Sequence, residues 1–104
     1  MLKPGVRVHG LKPEIVLALI PAHAIWREHG GQLVVTSGVD GTHKRASKHY
    51  SGQAVDLRIQ GMPQAAQAIA ALKLALGDDY DVILEAAGTP NEHCHLEYDP
   101  KEPL

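Results

Sequence analysis

Two short segments gather residues able to bind a metal or move a proton. One runs Ser47-Lys48-His49-Tyr50-Ser51-Gly52-Gln53-Ala54-Val55-Asp56, the other Glu92-His93-Cys94-His95-Leu96-Glu97. Seven His in 104 residues make imidazole the group to follow, because it ligates metals and exchanges protons near neutral pH. In the second segment, strand alternation would send His93, His95 and Glu97 to one face and Cys94 to the other. His-x-His on a strand suits a metal, and equally a pair of surface or hydrogen-bonded imidazoles. In the first segment Asp56 stands between Val55 and Leu57, so a strand there carries a carboxylate among apolar neighbours. If buried, it needs a cation, a metal or strong hydrogen bonds. If exposed, it has Arg58 or Arg45 to pair with. Gly52 permits a backbone conformation or a close approach that a side chain would block, and Ala54 is small enough to lie against a crowded site.

Together the two segments can supply two imidazoles and one carboxylate. Zinc with three protein ligands keeps a fourth position for water, which is the catalytic arrangement, and its bound water ionises near pH ~7. A carboxylate beside it can take the proton during attack, and Glu92, three residues before His95, is placed for that. Cys94, on the opposite face, is expected in the core.

These residues need elements to position them. Ile15, Leu19, Ala22 and Trp26 recur at helical spacing and predict a helix from Leu11 to His29, with Pro13 in its first turn. Pro21 inside that pattern is expected to kink or split it. A short buried strand is expected at Leu33 to Thr36 and another at Ala54 to Ile59. The polar stretch from Ser37 to Tyr50 reads as a long loop, of the kind that is functional or disordered. Gly61 and Pro63 open a second helix to Leu76, with Ala65, Ile69, Leu72 and Leu76 inward. Strands are expected at Tyr80 to Glu85 and His93 to Tyr98, with a turn from Ala86 to Asn91 and a loose tail from Asp99. The order predicts an α+β fold, a small mainly antiparallel sheet with two main helices packed on it.

Residues 1–104 are expected to make one domain, a length that leaves no room for a separate targeting module within them. A 44% hydrophobic and 21% charged composition is that of a folded globular chain. The net charge of -2 gives no support to nucleic-acid binding, which wants a basic face. The single Cys94 rules out an internal disulfide. Met1 to Gly10 has no signal-peptide core, and the longest apolar run, Ile15 to Ile20, is too short for a bilayer. The expectation is a protein made soluble in the cytoplasm without membrane insertion, as a monomer or small homo-oligomer.

Ser47-x-His49-x-x-Gly52-x-Ala54-x-Asp56 resembles the signature of zinc D-alanyl-D-alanine carboxypeptidases and their relatives, which include D-Ala-D-Ala dipeptidases and phage L-alanoyl-D-glutamate endolysins. Five defined positions recur at the right spacing, and Glu92-x-x-His95 matches the family's catalytic acid and last zinc ligand. The resemblance spans about Leu11 to Tyr98 and implies the Hedgehog/DD-peptidase fold. It implies His49, Asp56 and His95 as ligands of Zn2+, Glu92 as general base and His93 as a group lining the site and bonding substrate or oxyanion. Ser47 belongs to the same signature, as a residue near the ligands or the substrate. Many relatives read Ser-Gly-Tyr-Arg after the first strand, where this chain reads Ser37-Gly38-Val39-Asp40. Arg45 is the nearby cation able to replace that Arg. Asp40 and His43 are candidates to orient a zinc ligand, and equally to cap the loop.

The function so implied is hydrolysis of a peptide bond in bacterial peptidoglycan, by a carboxypeptidase or an endolysin-like endopeptidase. Such a protein would act on the wall after release, or as part of a virion if phage-encoded. The alternative is a non-catalytic zinc-binding domain, such as a virion component, that keeps the fold; the missing Arg speaks for it. A histidine-triad hydrolase fails, because Glu97 stands where a third alternating His is needed.

Overall fold

The computed structural model describes residues 1–39, 49 and 51–101. Six elements follow in order: α1 (Pro13–Glu28), β1 (Val35–Ser37), β2 (Ala54–Arg58), α2 (Ala65–Leu76), β3 (Tyr80–Glu85) and β4 (His93–Tyr98). The four strands form one sheet in the order β1-β2-β4-β3, every neighbour antiparallel. This is the α+β arrangement that the periodicities predict.

Alternation makes the sheet two-faced. Val55, Leu57, Val82, Cys94 and Leu96 point to one side and join Ile15, Ala18, Ala22 and Trp26 of α1 and Ala68 and Leu72 of α2 in the core. Polar bonds fix the layers: the Trp26 indole N–H donates to the Arg58 carbonyl at 2.9 Å, and the Tyr80 hydroxyl to the Glu14 carbonyl at 3.0 Å. The other face carries Asp56, His93, His95 and Glu97.

Three expectations are corrected. Helix α1 is not split at Pro21 but runs from Pro13 to Glu28. A proline there removes the N–H that would bond the Leu17 carbonyl and crowds that carbonyl with its ring. Leu17 and Ile20 are 62% and 67% exposed, so this turn of the helix lies on its solvent side. The first strand covers Val35–Ser37, although Leu33 and Val34 are buried too. The tail is anchored at its start: Asp99 N–H donates to the Asp79 carbonyl at 2.7 Å, and the Lys101 ammonium lies 3.0 Å from Asp81 and 3.2 Å from Asp99. Residues 102–104 lie outside the described residues.

At the other end, Leu2 forms a parallel bridge with Val35 and the Met1 ammonium donates to the Leu33 carbonyl, so the first residues flank β1. No described helix is long and apolar enough to cross a membrane.

Candidate metal centre

Register assembles the cluster. Asp56 on β2 lies directly opposite His95 on β4, and His93 lies between Arg58 and Glu85 of the two flanking strands. Directly opposed residues share a face with their Cβ atoms about 4.5–5.5 Å apart, so two rows of polar side chains converge on the helix-free side. Asp56 and His95 form one row, and Arg58, His93 and Glu85 the next.

His49 arrives from the loop before β2. It is 3% exposed, and its ring stacks edge-on against His95 with centroids 5.1 Å apart. Gly52 holds it there. The Gly52 N–H donates to the His49 carbonyl at 3.1 Å, and the Gly52 carbonyl accepts from Lys12 N–H at 2.8 Å. Gly52 has φ +77°, and a Cβ there would sit 2.1 Å from the Gly10 carbonyl oxygen. Both uses proposed for that glycine, conformation and close approach, therefore apply.

Each of the three imidazoles has its outer nitrogen committed to an acceptor. His49 Nδ1 meets the Gly38 carbonyl at 2.8 Å, His93 Nδ1 the Asn91 carbonyl at 2.7 Å, and His95 Nε2 the Glu97 carboxylate at 3.0 Å. A carbonyl or carboxylate takes only a donor, so each outer nitrogen carries the proton. The inner nitrogens of the neutral rings then present lone pairs. All three face one atom: Asp56 Oδ1 lies 3.2 Å from His49 Nε2, 3.1 Å from His95 Nδ1 and 3.5 Å from His93 Nε2. Lone pairs aimed at a carboxylate repel it. Such a centre is at rest only with added protons or a cation among its atoms.

Without a metal, protons do this. Burial alone would raise the Asp56 pKa, but hydrogen bonds from His49 and His95 and the charges of His49 and His93 hold it well below the usual carboxylate range. Burial alone would lower that of His95, but bonds to Asp56 and Glu97 and the charges of Glu85 and Asp56 push it up to about 9.

A metal fits equally well. The donor atoms of His49, Asp56 and His95 all lie within 4.8 Å of one another. Tetrahedral zinc with bonds of about 2.0–2.1 Å needs donors about 3.3 Å apart, close to the two distances that Asp56 makes with the rings. The outer hydrogen bonds are the ones that fix ligand tautomers in metalloproteins.

The structure thus brings together His49, Asp56 and His95, with His93 beside them. Glu92 stands apart from these donors. Its Oε2 accepts the Gly88 N–H at 2.7 Å in the β3–β4 turn, and its backbone carbonyl accepts from the Gln60 amide. It lines an open cleft of about 290 Å³ that adjoins the cluster through His93 and includes Lys3, Arg58 and Asn91. Arg45, Asp40, His43 and Ser47 lie outside the described residues. Cys94 is fully buried in the core, its thiol pushed up to about 12 by burial and by the charges of Asp56 and Glu85.

Two further acids complete the cluster. Glu97 holds the outer nitrogen of His95, and strand alternation did place it on that face. Glu85 lies 3.1 Å from His93 Nε2 and 3.7 Å from His95 Nδ1. Only the pairing of β3 with β4 brings it there. No protein family, curated protein or solved structure matches the chain. What stands is a buried His/Asp cluster able to hold a metal ion.

Proposed function

We propose that this protein is a zinc metallopeptidase that hydrolyses a peptide bond in bacterial peptidoglycan. One observation carries the reading: His49 and His95, each with its outer nitrogen hydrogen-bonded, aim their inner nitrogens at Asp56 Oδ1 from 3.2 and 3.1 Å. His49, Asp56 and His95 would hold the zinc. Bound zinc polarises a carbonyl and lowers the pKa of water. The substrate peptide would lie in the cleft beside His93. Glu92 lines the same cleft, with Oε2 held by the Gly88 N–H, and would accept a proton from the attacking water and pass it to the leaving amine. Arg58 and Lys3 give the cleft two cations, where the resembling carboxypeptidases and endolysins carry an Arg at the position of Asp40. The wall substrate requires that the protein act after release from the cell or as part of a virion.

Mass spectrometry of soluble peptides released from purified peptidoglycan by the zinc-loaded protein tests this. Release that disappears in Glu92→Ala, with zinc still bound, supports the peptidase, and the fragment masses name the bond. No release from several wall chemistries, with zinc bound, would favour a second reading, a non-catalytic zinc-binding domain. The observations on that side are the Glu92 carboxylate held by the turn and the acid at position 40.

A further inference from the structure

Glu85 and His93 lie one row along the sheet from the three residues assigned to zinc, and the proposed reaction gives Glu85 nothing to do. We propose that Asp56 is shared between two divalent cations, the second held by Asp56, Glu85 and His93. The inference rests on zinc at His49, Asp56 and His95.

The donor geometry repeats that of the first site. His93 Nε2 is 3.1 Å from Glu85 Oε1 and 3.5 Å from Asp56 Oδ1, and the three donor atoms lie within 4.8 Å of one another. The Asn91 carbonyl takes the Nδ1 proton of His93, which leaves Nε2 as a ligand atom. The two sets have only Asp56 in common. His93 and His95 are two residues apart on one strand, a rise of about 6.6 Å at the backbone, and both reach the same carboxylate. That convergence suits ions about 3.5–4 Å apart, the spacing of two-metal hydrolases.

Exposure fits as well: the Glu85 side chain is 44% exposed, against 4% for His49 and 13% for Asp56, so the second ion would lie on the solvent side, towards the cleft. Two oxygens and one nitrogen suit a borderline to hard cation such as zinc or manganese. Among the described residues, the other such group, Asp81, Glu97 and Asp99, already has Lys101 against Asp81 and Asp99.

The test is the number of zinc equivalents retained by the whole protein after gel filtration, read by elemental mass spectrometry beside a calorimetric titration. Two equivalents are expected for the unaltered chain. One is expected for Glu85→Gln and for His93→Ala, each checked for native circular dichroism. One equivalent in the unaltered chain overturns the second site and leaves the first standing; this count needs no variant. Two equivalents retained in both variants also overturn it, because the second ion then sits elsewhere. No retained zinc overturns the first site as well, and with it the peptidase reading.

Discussion

Protein stripped of metal should lose stability as the pH rises from 6.5 to 9, and zinc should reverse that slope. The His95 imidazole in the metal-free fold is raised from 6.5 to about 9, a difference worth about 3 kcal/mol. Its side chain is only 11% exposed, so solvent screens little of this. Below pH 6.5 the ring is protonated in folded and unfolded chains alike, and the contribution is complete. Between 6.5 and 9 the folded chain keeps a proton that the unfolded chain has released, and stability falls by up to about 1.4 kcal/mol per pH unit. Above 9 the contribution is gone. Asp56 governs the acid side. Its carboxyl is held below the ordinary 3.8, so its contribution is present above that value and lost as the pH falls through the lowered one. His95 and Asp56 share one hydrogen bond, so the pair counts once. The chelated protein is therefore most stable between about pH 4 and 6.5. Zinc takes His95 only as the neutral ring, so binding displaces the proton, and affinity should climb by up to about tenfold per pH unit until the ring has titrated. Urea unfolding near pH 6 and near pH 9, with chelator and with zinc, measures both slopes. A chelated protein equally stable at the two values, or more stable at the higher, would refute the assignment of that proton to His95.

Other substitutions probe how the site is held. Gly52→Ala forces a left-handed backbone on a residue whose Cβ meets the Gly10 carbonyl. It should cost about 1–3 kcal/mol and weaken zinc binding, because His49 hangs on the same turn; calorimetry reads both. Trp26→Phe removes the donor to the Arg58 carbonyl and should cost about 1–3 kcal/mol in urea unfolding, with little effect on zinc stoichiometry. Cys94 should resist thiol reagents in the native protein and react at once in denaturant, since burial keeps its thiol protonated up to about pH 12.

Strands β3 and β4 occupy the bounds expected from the sequence; β4 alternates polar and apolar residues, whereas β3 sets the exposed Ile83 between Asp81 and Glu85. Asp56 and His95 were also legible, as residues that alternation and motif spacing single out locally. Glu85 was not. Its place beside His93 depends on the offset between β3 and β4, which the turn sets and neither strand encodes alone. Pro21 misled for a related reason: the cost of a proline in a helix depends on what the orphaned carbonyl faces, and that is a property of the packed helix. The N-terminal residues form no periodic pattern, so their place beside β1 could not be read from local signals.

Strand β4 is a partition. Cys94 and Leu96 serve the core while His93, His95 and Glu97 serve the site, so adjacent residues answer to separate constraints. Replacing one of the three polar residues withdraws nothing from the packing between sheet and helices. The chemistry of this surface is therefore open to change: a lineage could lose the metal, or recruit a different one, and still inherit the same folded body. A slip of one residue in β4, by contrast, would exchange the two roles at once and bury imidazoles where Cys94 and Leu96 belong. The fold is thus lenient towards substitutions in the site and strict about the alignment of its strands.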